Sequence, residues 1–176
     1  MFQNVGRFLQ DEDMRIKLVA LHRTVIDRHI DIFGFTEANT CWDVVPEQQW
    51  LAWYTHGWWE NSQWSLSYNR LEKDTPIYQP GGTGIVCVNQ VAHKTLKPGD
   101  DLSGLGRWCW TQIWGPQNFY LRIILMYRPC MSNGPMSTYQ QHIRHLMSNN
   151  RYECPCEAIL SDIMQEIKNG KKTAIT

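Results

Sequence analysis

Asp31-Ile32-Phe33-Gly34-Phe35-Thr36-Glu37-Ala38-Asn39 is the stretch whose reading decides the fold. A short, unbroken apolar run carrying Ile and two Phe, closed by polar residues, reads as a strand buried on both faces. The last residues of such a strand emerge at the carboxy end of a sheet, where open α/β folds keep their ligands. Glu37 stands there with Asn39 close behind, suited to a metal ion or to general-base chemistry. The alternative is a solvated acid at the end of a strand.

Working back from this strand, Met14, Leu18, Leu21 and Val25 recur at helical spacing, which marks the apolar face of a helix. Asp11-Glu12-Asp13 supplies acids at its start, where the helix dipole favours them. Before the helix, Met1 to Val5 reads as the tail of a strand turning at Gly6. Strand, helix and strand together make a β-α-β opening with a right-handed crossover expected.

Working forward, residues 44–53 read as a short helix, 64–68 as an alternating edge-like strand and 69–79 as a loop. Pro80-Gly81-Gly82-Thr83-Gly84 is a sharp turn before the apolar strand Ile85-Val86-Cys87-Val88. A phosphate-binding loop would follow a strand, open a helix and carry Lys-Ser/Thr, so this turn is not one. Residues 97–106 read as loop, and 108–114 with 120–127 as an antiparallel hairpin. Ser137-Thr138-Tyr139-Gln140 fits a capping box, opening a helix to about residue 147. Pro155 opens a further helix with Ile159, Leu160, Ile163 and Ile167 on one face. Asn169-Gly170 reads as its C-cap, and residues 171–176 as the start of another strand.

With 176 residues the chain is expected to be one domain with a real core. Seventeen basic residues balance seventeen acidic ones, which argues against nucleic-acid binding through a broad basic surface. Nine tryptophans are unusual; most such residues fill cores and a minority stack on bases. No apolar run reaches membrane-spanning length, and the acidic N-terminus lacks a signal core. The expectation is an intracellular chain whose six cysteines are reduced and mostly buried.

In chain order these segments match a family. The residues are Gln3-Asn4-Val5-Gly6-Arg7, Asp31 to Glu37, Gly81-Gly82-Thr83-Gly84-Ile85 and Gly104-Leu105-Gly106-Arg107-Trp108. Tyr127-Arg128-Pro129-Cys130, Tyr139-Gln140-Gln141 and Asp162 follow. The chain resembles the endonuclease/exonuclease/phosphatase family, in its retroelement-type endonuclease branch, over nearly its whole length. That resemblance implies a four-layer α/β sandwich, two mixed sheets flanked by helices, and phosphoester hydrolysis with Mg²⁺ or Mn²⁺. It implies a nucleic acid or another phosphoester as substrate, no membrane partner, and a nuclear setting if the chain is retroelement-derived. By the same resemblance Glu37 holds the metal with Asn4 beside it, Tyr127 contacts the reacting phosphate and Arg128 lies next to it. Oxygen donors of these types suit a hard cation that keeps waters for exchange with phosphate. A phenol and a guanidinium can donate to the phosphoryl oxygens.

The family's Gly-Asp-x-Asn and Ser-Asp-His motifs have no counterparts here. Asp162 and His142 fall at positions that the family does not use for catalysis. The reading is therefore a truncated domain over 1–176, incomplete at the C-terminus, with little turnover alone. The alternative is a non-catalytic nucleic-acid-binding module or inactive remnant, with Arg107, Arg122 and Arg128 lining a groove and Trp58 and Trp59 as stacking residues. His142, His145, Cys154 and Cys156 are the one metal-like set of nitrogen and sulfur ligands, at spacings unlike the common zinc forms. His56 reads as a structural or solvated loop residue.

Overall fold

The computed structural model describes residues 1–6, 12–46, 51–70 and 79–173. The chain divides into two compact units, Met1–Tyr127 and Arg128–Thr176. In the first unit, strand β1 (Phe2–Asn4) leads to helix α1 (Glu12–Asp27) and strand β2 (Ile32–Thr36). A 3-10 turn (Trp42–Val44) and helix α2 (Leu51–Tyr54) precede β3 (Ser62–Ser67), β4 (Thr83–Val88) and helix α3 (Asn89–Ala92). Then come β5 (Gly99–Asp100), β6 (Trp108–Trp114) and β7 (Tyr120–Met126).

Two sheets result. The first has the order β1-β2-β4-β3, and the second β5-β6-β7. β1 runs parallel to β2, while β4 is antiparallel to both β2 and β3, so the first sheet is mixed. The second sheet is antiparallel throughout its described strands. The architecture is an α/β sandwich, as the sequence leads one to expect.

The period-2 alternation of β2 and β4 builds both cores at once. Phe33, Phe35, Val86 and Val88 face one way, into a core with Leu18 and Val25 of α1. Ile85 and Cys87 face the other way, packing with Cys109 of β6 and, around them, Ile32, Ile113, Ile123 and Leu125. A strand buried on both faces is what the unbroken apolar run requires. Gly34 belongs to the second face: a Cβ there would stand 2.6 Å from the Phe2 ring and 2.9 Å from Leu125. Its missing side chain lets β1 and β7 close over β2.

Local readings hold in most places. Leu18 and Val25 are buried at 2% exposure each, as the helical spacing predicts. β3 is an edge strand, and the hairpin of β6 and β7 turns through a 3-10 segment, Pro116–Asn118. The stretch 97–106, read as loop, contributes the short strand β5. Part of the expected helix over 44–53 and most of the loop over 69–79 lie outside the described residues.

The second unit holds helices α4 (Thr138–Ser148) and α5 (Pro155–Thr173). Ser137 caps α4, its hydroxyl accepting from the Gln140 backbone N–H at 3.3 Å. Only half of the capping box forms, because the Gln140 side chain instead donates to the Ser132 carbonyl at 2.9 Å. The reading of Asn169-Gly170 as a C-cap is corrected: α5 runs on to Thr173. A strand beginning at 171 is corrected with it, since 171–173 are helical; residues 174–176 lie outside the described ones. Glycine is only a weak helix breaker, at about 1 kcal/mol relative to alanine, so one such residue need not end a helix.

Phe33 is 1% exposed in the core beneath α1. Phe33→Ala should lower unfolding stability by about 3–5 kcal/mol, read from the midpoint of a urea titration at unchanged slope.

Candidate functional site at the strand ends

β1 and β2 are parallel neighbours, and their register pairs Asn4 with Thr36. The next ladder bond, Val5 N–H to the Thr36 carbonyl at 3.0 Å, carries the pairing one step further. Positions 4 and 37 therefore leave the sheet together, at the carboxy ends of adjacent strands. The Asn4 side-chain oxygen accepts from the Gly6 N–H at 2.9 Å, closing the turn after β1. Glu37 is half-buried, with its backbone in the left-handed region at φ 59°.

Asn39 organises this end of the sheet. It is 8% exposed and also left-handed, at φ 50°, a conformation that asparagine tolerates better than most residues. Its amide nitrogen donates to the Gly6 carbonyl at 2.9 Å, and its amide oxygen accepts from the Gly81 N–H at 2.8 Å. Its backbone N–H donates to the Gly81 carbonyl at 2.8 Å, and its own carbonyl accepts from Gln79 at 3.3 Å. One residue thus joins the loops after β1, after β2 and before β4. Gly81 and Gly82, at φ 97° and 93°, supply the backbone that meets it.

The same end carries Tyr127. Thr36 pairs with Thr83, and Thr83 with Ser67. The Ser67 hydroxyl accepts from the Asp101 N–H at 3.3 Å, and Asp101 also donates to the Trp108 carbonyl at 3.1 Å. Trp108 pairs with Met126, and the Tyr127 N–H donates to the Arg107 carbonyl at 2.8 Å. This path, traced strand by strand, puts the exits of β1, β2, β3 and β7 at one end of the two sheets.

Sequence reasoning missed a polar cluster at that end. Tyr68 donates to Asp43 at 2.8 Å, and the Arg70 guanidinium lies 4.5 Å from the Tyr68 ring centre. Arg70 also stands 3.9 Å from Asp43 and 3.7 Å from Asp100. Burial, and then the hydrogen bond to Asp43, push the Tyr68 phenol up to about 12, so it is a donor at neutral pH. These residues are scattered over almost sixty positions, and no local spacing joins them.

Arg107, assigned to nucleic-acid contact, is corrected. Its side chain is 2% exposed and forks onto Asp101, Nε to Oδ2 at 2.7 Å and Nη2 to Oδ1 at 2.8 Å. Burial opposes ionisation of Asp101, yet the hydrogen bonds and charge of Arg107, with Ser103, outweigh it and hold the carboxyl below its usual value. A guanidinium committed in this way has no free fork for a phosphate.

Trp58 and Trp59, assigned to stacking, are half-buried and pack against the core beneath α1. The Trp58 ring lies 4.4 Å from His22 and the Trp59 ring 5.7 Å from Phe33, centre to centre. Arg122 stands 4.1 Å from the Trp110 ring centre. Arg128 belongs to the second unit, where its Nε donates to the Cys156 sulfur at 3.3 Å. His142 is buried at 1% exposure, and Asp162 accepts from Arg151 at 2.7 Å. Among the described residues no three His, Cys, Asp or Glu side chains gather as a metal site, so the four-residue zinc set does not assemble.

No family model matches the chain, and no curated protein matches it either. Among the described residues no helix is long and apolar enough to cross a membrane.

Two outcomes follow from this geometry. Asn39→Ala, losing both amide bonds and the left-handed tolerance, should cost about 2–4 kcal/mol; Asn39→Gly should recover only the backbone share, both read by urea unfolding. Asp101 has a lowered folded pKa, so its stabilisation is present above the ordinary carboxylate value of about 3.9 and is lost as pH falls through the lower folded value. Asp101→Asn should remove that acid-limb slope and cost about 3–5 kcal/mol near neutrality by breaking a buried pair.

Proposed function

We propose that the chain is a divalent-metal-dependent phosphodiesterase domain of endonuclease type, related to the endonuclease/exonuclease/phosphatase family. The observation that carries this reading is the β1–β2 register, which pairs Asn4 with Thr36, the residue before Glu37, at the carboxy ends of adjacent strands. A carboxylate and an amide oxygen fit a Mg²⁺ or Mn²⁺ ion that takes the rest of its shell from water and phosphate. Asn4 keeps a second lone pair on the oxygen that accepts from Gly6. When bound, such an ion stabilises charge on phosphoryl oxygens.

The chain's own residues supply the remainder. Tyr127 leaves the second sheet at the same end, and its phenol is the donor that the reading assigns to a phosphate oxygen. Arg70 takes the cationic role that Arg107, committed to Asp101, does not fill. Its guanidinium is about half exposed and its ion pairs are long; exposed pairs of this kind contribute little, so exchanging a carboxylate for a phosphate oxygen costs little. A nucleic acid is the substrate class that the resemblance favours, and the non-catalytic alternative loses support because Trp58, Trp59 and Arg107 are packed inward.

Because the family's Gly-Asp-x-Asn and Ser-Asp-His residues have no counterparts, metal binding is a sharper readout than turnover. Titration of the full chain with Mn²⁺, followed by electron paramagnetic resonance, should show one site. Glu37→Gln should weaken it at least ~10-fold, and Asn4→Ala by less. Wild-type affinity in both variants would refute the assignment.

A further inference from the structure

We propose that Cys154 and Cys156 form a dithiol that exchanges with low-molecular-weight disulfides, Cys154 attacking and Cys156 resolving. This site is independent of the phosphoesterase reading and lies wholly within the unit Arg128–Thr176. All six cysteines are free, but only Cys41, Cys87 and Cys109 are buried; Cys130 and Cys154 are exposed and Cys156 is half-buried. The expectation of mostly buried thiols is therefore corrected for this unit.

Cys154 directly precedes Pro155, the first residue of the 19-residue helix α5. Its carbonyl accepts from the Ala158 N–H at 3.0 Å. The Cys154 thiol is held below its ordinary value, chiefly by the Cys156 backbone N–H, with burial opposing and the Glu157 backbone and the Cys156 and Tyr139 side chains adding. Donors aimed at a sulfur favour thiolate, the form that attacks disulfides.

Arg128 supports the second thiol, its Nε donating to the Cys156 sulfur at 3.3 Å. A cavity of about 320 Å³ opens beside Cys154, walled by Tyr139, Ile143, Leu146, Met147 and Tyr152. It gives room for the organic part of a small disulfide next to the attacking sulfur.

The chemistry balances. The Cys154 thiolate attacks one sulfur of RSSR, forming a Cys154–SR bond and releasing RS⁻. Cys156 then loses its proton to that thiolate or to water and attacks the Cys154 sulfur. The Cys154–Cys156 bond forms and the second RS⁻ departs. Two protein thiols are oxidised, the disulfide is reduced, and the two protons end on two RSH. One intervening residue keeps the resolving thiol at high effective concentration.

The test treats the reduced full chain with one equivalent of oxidised glutathione at neutral pH and follows intact mass and peptide maps. Wild type should lose two hydrogens, retain no glutathione and yield a Cys154–Cys156 linked peptide. Cys156→Ser and Cys156→Ala should each trap one glutathione on Cys154, at least ~10-fold faster than on Cys130. Cys154→Ser should slow the reaction to the rate of Cys130. Stable glutathione on wild type at Cys130 or Cys156, or no adduct on Cys154 in folded Cys156 variants, would overturn the proposal.

Discussion

Beyond the strand ladders, the side-chain amide of Asn39 ties together the loops that follow β1 and β2 and precede β4. Its donor half reaches Gly6 after β1, and its acceptor half reaches Gly81 before β4. An aspartate would lack the donor and a serine the second arm, so the amide is the group that serves both loops. The residue is buried, so each bond it makes also spares a desolvated backbone group from going unpaired. The turn at Gly6 after β1 and the turn at Gly81 before β4 are both held by that tie, next to the strand ends that carry Asn4 and Glu37.

The buried pair of Asp101 and Arg107 does the equivalent work for the second sheet. Asp101 accepts from the Ser103 and Arg107 backbone N–H groups as well as from the guanidinium, so both carboxylate oxygens are occupied. A desolvated pair is a weak source of net stability, yet it penalises any arrangement that separates its members. The loop between β5 and β6 is thereby fixed, and the Arg107 carbonyl is presented to Tyr127 at the end of β7. A charge that looks available for a ligand in the sequence is committed to holding a loop.

The framework was legible where one residue type repeats at one period. The apolar run of β2, the spacing of Leu18 and Val25 and the pairing of β6 with β7 as a hairpin each answer to a short-range pattern. What escaped the sequence depends on partners far along the chain or on competition between weak signals. Nothing local reveals that Tyr68 and Arg70 meet Asp43, or that Trp58 turns onto His22. Arg107 and its partner are only six residues apart, but the loop geometry that buries both is not written in that interval. At Asn169-Gly170 a cap preference lost to continued helical hydrogen bonding. Of the candidate site, Glu37 was readable from strand logic and Asn4 only from the family resemblance, whereas the cationic side was readable from neither.

Glu37 itself bears on whether the site is more than a strand end. Six non-glycine residues among those described have positive φ, and Glu37 is one of them. Asparagines account for three of the six, which fits their tolerance of that region. Glutamate has no such tolerance, and the left-handed conformation costs it about 1–2 kcal/mol. A solvated acid with no further task could be replaced there by glycine, removing the strain without losing a contact. The cost is sustained because Asn39 and the Gly81-Gly82 turn determine the backbone on its far side. Strain held in place by a buried tie, at the carboxy end of a central strand, is the backbone feature that the proposed metal role of Glu37 would account for.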